Sequence, residues 1–199
     1  KYNLKVNSNI DSTTELELIE KFENIKSSSF TKRMYFSEKN LIISEKNGKI
    51  FALKNNKLEY IIDLSEEIRD ICTNKTINHL YACTERGNIY SIDLNSNQVI
   101  NIFNPKRNKP IWSLALQERS NLLAAAESHG EISILNLLSM KELKHQKLIS
   151  DRPKRMKWLY KTLLFVEGVS LKRYDLVEDE VFNYIEECEN TIEDFIWNE

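Results

Sequence analysis

Leu122-Leu123-Ala124-Ala125-Ala126-Glu127-Ser128-His129-Gly130-Glu131-Ile132-Ser133-Ile134-Leu135-Asn136 reads as two short apolar strands closed by a tight turn. Strands that are apolar along almost their whole length are buried on both faces. Glycine at the turn reaches positive φ without steric cost, as a tight hairpin requires. The same grammar occurs in Leu41–Ser44, Asn47-Gly48 and Ile50–Leu53, and again in Leu80–Cys83, Arg86-Gly87 and Ile89–Leu94. A fourth copy, Leu163–Val166 and Leu171–Leu176, moves its glycine to Gly168. Ile50, Ile89, Ile132 and Leu171 stand 39, 43 and 39 residues apart. A period near forty with strand–turn–strand content is that of a β-propeller blade.

Each unit completes to four strands. Met34–Phe36, Arg69–Cys72, Trp112–Leu116 and Met156–Leu159 supply inner strands; Leu58–Ile62, Gln98–Phe103, Lys141–Leu143 and Val181–Ile185 supply outer ones. Lys54–Lys57, Asn95–Asn97 and Val177–Asp179 are polar turns between the third and fourth strands. The fold class expected is all-β, a partial propeller of about four complete four-stranded blades with flanking strands of incomplete blades. The blades are expected at residues 30–66, 67–104, 105–148 and 149–190. Residues 1–29 read as the last two strands of a preceding blade, and 191–199 as the first strand of a further one. A closed seven-bladed ring needs roughly 280 residues at about forty per blade. The ring is therefore expected to be completed by further sequence or by another chain.

The 199 residues are 41% hydrophobic with a formal charge of −2, a composition that buries a core without disorder. No run of about eighteen apolar residues exists, so no membrane span or membrane partner is expected. An odd set of cysteines (Cys72, Cys83 and Cys188) without close pairing predicts buried free thiols in a reducing, nuclear or cytoplasmic compartment. Charge is segregated: residues 1–103 balance, 104–173 carry +8, and 174–199 carry −10 with no Lys or Arg. Two basic clusters, Lys106-Arg107-Lys109 and Lys144, Lys147, Arg152, Lys154, Arg155 and Lys157, fall largely in segments linking one blade to the next. Such links share one face of a propeller, so these nine residues are the candidate partner-binding set. They suit an acidic protein surface or a nucleic-acid backbone, although no aromatic residue interleaves the first cluster to stack a base.

The units resemble the WD-repeat family, most closely at Ile111–Asn136, over about residues 30–197. The departures are specific. Leu53, Ile92, Leu135 and Tyr174 stand where the family has Trp ending the third strand. The following Asp is kept as Asp93 and Asp175 but is Lys54 and Asn136 elsewhere. Asn47, Arg86 and His129 replace the family's middle-turn Asp. The family's Asp-His-Ser/Thr-Trp network is thus expected to be absent, with blade cohesion resting on apolar packing. Asn47–Leu53 and Gly87–Leu94 also look like quinoprotein-type repeats, but the late Gly and Trp of that family are missing. Leu171-Lys172-Arg173-Tyr174 does not match the Phe-Arg-Arg-Gly of phosphoinositide-binding propellers.

No constellation for chemistry is legible. His79, His129 and His145 lack partners at metal-ligand spacing, and there is no nucleophile elbow or phosphate-binding glycine loop. Glu178-Asp179-Glu180 reads as a solvated rim, Asn74-Lys75-Thr76 as a formal glycosylation acceptor, and Trp112, Trp158 and Trp197 as core near the ring axis. No catalytic, metal or cofactor residue and no small-molecule substrate is expected. The function implied is a non-catalytic protein–protein interaction scaffold, a subunit of a multi-subunit intracellular complex. One alternative is a nucleic-acid-associated propeller in a transcription, RNA-processing or chromatin assembly. Another is an enzyme with a central-channel site, for which the inner strands supply only Asp70 and Asp194.

Overall fold

The computed structural model describes residues 31–36, 41–54, 57–150, 153–185, 190–192 and 195. Four antiparallel four-stranded sheets follow one another along the chain. The first contains β1 (Thr31–Phe36), β2 (Leu41–Glu45), β3 (Lys49–Lys54) and β4 (Lys57–Asp63). The second contains β5 (Ile68–Asn74), β6 (His79–Thr84), β7 (Ile89–Asp93) and β8 (Gln98–Phe103). The third contains β9 (Ile111–Gln117), β10 (Leu122–Glu127), β11 (Glu131–Asn136) and β12 (Lys141–Lys147). The fourth contains β13 (Met156–Leu159), β14 (Thr162–Glu167), β15 (Ser170–Asp175) and β16 (Glu180–Ile185). Strand order within every sheet is the order of the chain, so each blade is a simple meander. Inner strands lie against inner strands, β1 on β5, β5 on β9 and β9 on β13, which arranges the sheets as a fan around one channel.

Stacking explains why the middle strands are apolar along most of their length. Ile71, Leu80, Ala82 and Ile92 pack toward the first sheet with Ile42 and Ile50. The alternate residues Cys72, Tyr81, Cys83 and Ile89 pack toward the third sheet with Ile111 and Leu123. On the far side, Ala124, Ile132 and Ile134 meet Leu163, Phe165 and Tyr174 of the fourth. With period 2 and a neighbour on each face, β6, β7 and β10 leave no position to a solvated side chain, whereas β15 of the fourth sheet exposes Arg173. Outer strands have only one half-covered face, so β8 and β12 are mostly exposed or half-buried. Cys72 and Cys83 are buried free thiols, as expected. Cys188, Arg152, Asp194, Trp197 and the strands read into 1–29 lie outside the described residues.

The turn glycines hold the blades to the links between them. Gly48 has φ +100°, and a Cβ there would stand 2.8 Å from the Glu66 carbonyl oxygen in the link to the second sheet. Gly87, at φ +80°, meets the Lys109 carbonyl in the same way. His129 takes φ +62°, in line with the expectation for a polar residue before Gly130. Two main-chain bonds complete the pattern, Leu64 N–H to the Gly48 carbonyl and Leu148 N–H to the Gly130 carbonyl, each 3.0 Å. Register irregularities in the third-to-fourth strand pair of every sheet were not legible in the sequence. Such bulges add twist, which the splayed outer edge of a blade needs.

Candidate interaction surfaces at the two ends of the channel

The channel has two mouths. One carries the turns between second and third strands together with the links between sheets. The other carries the first-to-second and third-to-fourth turns, tied by bonds such as Leu94 N–H to Asn78 and Leu137 N–H to Asn121.

Inside the channel, Asp70 is the organising group. A register shift between Ile68 and Asp70 on β5 aims its carboxylate inward. Oδ2 accepts from Leu114 N at 3.0 Å and from Ser113 Oγ at 3.2 Å, both on β9. Oδ1 accepts from Arg33 Nε of β1 at 3.2 Å, and Arg155 Nη1 lies 4.0 Å away. Burial pushes the Asp70 carboxyl above its usual range, against the pull of the Leu114 amide and the two arginines. One carboxylate thereby joins three inner strands and draws in the approach to a fourth. A cleft of about 400 Å³ beside it is lined by Arg33, Cys72, Ser113, Arg155 and Trp158, among others. Glu118 also lines this cleft, with its carboxylate taken up by Lys75 N at 3.2 Å and Thr76 Oγ1 at 3.3 Å.

The mouth with the inter-sheet links is a row of polar clamps. Leading into the second blade, Glu66 accepts from Thr84 Oγ1 (2.6 Å), Asn88 Nδ2 (2.9 Å) and Tyr90 OH (2.9 Å). Burial alone would raise Glu66, but these donors hold its carboxyl below the usual value. Burial and the facing carboxylate push the Tyr90 phenol up to about 12. Into the third blade, Arg107 Nη2 reaches Glu127 Oε1 (2.6 Å), Glu142 Oε1 (2.7 Å) and Ser133 Oγ (2.7 Å). Glu127 is only 1% exposed. Glu127, Glu142 and His145 alone would form a ligand set, with donor atoms within 4.8 Å of one another. The Arg107 guanidinium sits among them and supplies the positive charge itself. Into the fourth blade, Glu167 Oε1 accepts from Ser150 N and Oγ, each at 3.0 Å, and pairs with Lys172.

These clamps correct the expectation that cohesion rests on apolar packing alone. Thr84, Glu127 and Glu167 end the second strands of three successive blades, and each is bonded by the link that enters its own blade. A polar network exists, built from different residue types than the WD pattern uses. The signal was present as recurring polar residues after each apolar run, but their partners come from the preceding link.

The nine nominated cations separate accordingly. Lys106 is exposed in the β8–β9 link, with φ +57°. Arg107 is committed to its carboxylates, and Lys109 Nζ pairs with Glu131 at 2.5 Å. Lys144 and Lys147 are not in a link. β12 continues through both, because its half-buried positions are filled by long amphipathic side chains that hide the strand's alternation. Lys144 turns toward the opposite mouth, pairing with Asp179 and lying 5.4 Å from the Tyr174 ring; Lys147 is exposed. Lys154 is half-buried in the β12–β13 link and Arg155 points to Asp70. Lys157, on β13, lines the channel with its Nζ 5.7 Å from the Phe195 ring. The structure thus gathers only part of the set on one face. Trp112 and Trp158 are half-buried at the inner strands: Arg69 stacks 4.3 Å from the Trp112 ring, and Trp158 Nε1 donates to Ala115 O at 2.9 Å. Asn74 is buried and caps its own turn through Ile77 N, which removes it from the surface.

Comparison with known proteins agrees with this architecture. Residues 74–161 match the family model described as the anaphase-promoting complex subunit 4 WD40 domain. The solved structure of U3-55K superposes with a TM-score of 0.72 at 11% identity, over 81% of this chain and 53% of that one. The RRP9 WD40 repeats give 0.72 and 11%, over 81% and 52%. Saccharomyces cerevisiae Sqt1 gives 0.70 and 12%, over 83% and 51%. The chain therefore spans about half the length of these structures. At such identities the likeness is one of fold. No curated protein matches the sequence significantly.

Proposed function

The chain folds as a WD-repeat β-propeller, and from that premise we propose that it is a non-catalytic protein–protein interaction scaffold, a subunit of a multi-subunit nuclear or cytoplasmic complex. The observation that carries this reading is the fate of its ionisable groups. Asp70, Glu66, Glu127, Glu142 and Glu167 are all consumed in bonds that hold strands and links in place. A catalytic acid or base must be left poised toward a substrate, whereas these carboxylates are saturated by the fold. What is left to the solvent is loops, turns and outer strands on a rigid frame, which suits recognition. The matching family model is itself named for a complex subunit, in keeping with this role.

The nucleic-acid alternative is the weaker one, since Arg107, Lys109 and Lys144 neutralise carboxylates of this chain. Lys106 and Lys147 remain as rim contacts for an acidic partner. The test is native purification of the tagged protein followed by mass measurement of the intact species. A scaffold runs at fixed stoichiometry within a larger assembly; a protein recovered only as a lone monomer overturns the proposal.

A further inference from the structure

The mouth opposite the inter-sheet links is built for contact in a way the nominated cations are not. A cleft of about 440 Å³ opens there, lined by Lys75, Gln117, Glu118, Arg119, Trp158 and Tyr160. Three turns from successive blades frame it, and cross-blade bonds fix them. Glu118 Oε1 accepts from Lys75 N at 3.2 Å and Oε2 from Thr76 Oγ1 at 3.3 Å. Gln117 Nε2 donates to the Tyr160 carbonyl at 2.6 Å. Tyr160 is held at φ +53°, an uncommon conformation for a bulky residue, and is 68% exposed. Ile77, on the β5–β6 turn, is 44% exposed. Glu118 is occupied by the neighbouring turn. The side chains of Lys75, Arg119 and Lys161 are exposed and enter no ion pair among the described residues.

We infer that this mouth docks an acidic peptide segment carrying an aromatic or aliphatic side chain, a finer statement that rests on the scaffold role proposed above. The apolar side chain seats against Tyr160 and Trp158 in the cleft, and its carboxylates meet Lys75, Arg119 and Lys161. Aromatic and arginine side chains at a preorganised concave site are the usual anchors of such contacts. Charge complementarity sets the sign of the occupant. A nucleic-acid backbone fits less well. The lining of the cleft carries two cations, Lys75 and Arg119, beside the carboxylate of Glu118, and Glu178 and Asp179 stand exposed on a turn at the same end. Duplex binders commonly engage about 6–10 phosphates.

The test is selection of phage-displayed random peptides on the full protein and on a Lys75→Glu/Arg119→Glu variant and a Tyr160→Ala variant. Acidic sequences with an aromatic or aliphatic residue are expected to enrich on the parent. A labelled copy of the selected peptide should bind at least about tenfold more weakly to each variant by fluorescence anisotropy, and more weakly in salt. The three side chains are exposed, so both variants should keep the parent's unfolding midpoint. Enrichment of basic or neutral peptides, no enrichment, or undiminished binding to both variants overturns the inference. So does loss of binding in a Lys106→Glu/Lys147→Glu variant instead, or displacement of the peptide by oligouridine RNA that binds more tightly. A native assembly that survives the Tyr160→Ala and Arg119→Glu substitutions would remove this mouth while leaving the scaffold role standing.

Discussion

Replacing Arg107 by methionine isolates the polar clamp of the third blade from the apolar packing around it. Methionine keeps most of the arginine stem but removes the guanidinium from Glu127, Glu142 and Ser133. Glu127 is 1% exposed, so it would be left as a buried carboxylate without its cation. Removing one partner of a buried pair costs about 3–5 kcal/mol. The Arg107 and Glu142 side chains are 22% and 26% exposed, and water can reach part of the site. The lower end, about 3 kcal/mol, is therefore expected. In a chain of this size each kcal/mol moves the midpoint by about 2–4 °C, which predicts a Tm lower by about 6–12 °C. Circular dichroism melting at neutral pH reads this directly. Adding Glu127→Gln to Arg107→Met should restore part of the loss, because a neutral amide is cheaper to bury than an unpaired carboxylate. A single variant that melts within about 2 °C of the parent, or a double variant that melts lower still, refutes the buried-pair account.

The other expectations use the same geometry. In an Arg107→Ala variant, Glu127, Glu142 and His145 lose the charge that holds them together; zinc should then raise the variant's Tm while leaving the parent unchanged. Glu66 has a folded pKa below its unfolded value, so its stabilisation is present above the unfolded carboxylate range and lost as pH falls through the folded pKa. Glu66→Gln should therefore flatten the fall in Tm on acidification below about pH 5, and an unaltered acid limb would argue against the clamp. Tyr90 is raised to about 12, which places its stabilisation below pH 10 and its loss between about 10 and 12; Tyr90→Phe should remove part of that alkaline loss. Gly87→Ala forces a Cβ onto the Lys109 carbonyl at positive φ, whereas at Gly168 a Cβ meets nothing within 4 Å. Gly168→Ala should cost only the left-handed strain of about 1–2 kcal/mol, and Gly87→Ala clearly more by urea denaturation.

The blade repeat was legible because its signals are local. An apolar middle strand, a glycine turn and a polar third-to-fourth turn each lie within a dozen residues, and repetition at a spacing near forty removes the ambiguity of any single copy. Leu80–Cys83 and Leu122–Ala126 read as strands for the same reason that they are buried: each has a sheet on either side. The end of β12 was not legible, because Lys144 and Gln146 fill half-buried positions with side chains that look solvated in a sequence. Nor was the fate of Arg107, which sits in a basic cluster yet belongs to Glu127 and Glu142, 20 and 35 residues away.

The order of residues thus determined the architecture, since hydropathy, turn chemistry and period are properties of neighbours along the chain. Tertiary structure alone decided which charges face solvent. A cation's partner depends on how one blade's link lies over the next blade's strand ends, and that stacking brings together groups 20 and 35 residues apart, as for Arg107. For that reason the prominent basic run at Lys106–Lys109 is largely neutralised. Lys75 and Arg119, on two separate turns and unremarkable in sequence, line one cleft with an exposed tyrosine, Tyr160, at the other end of the channel.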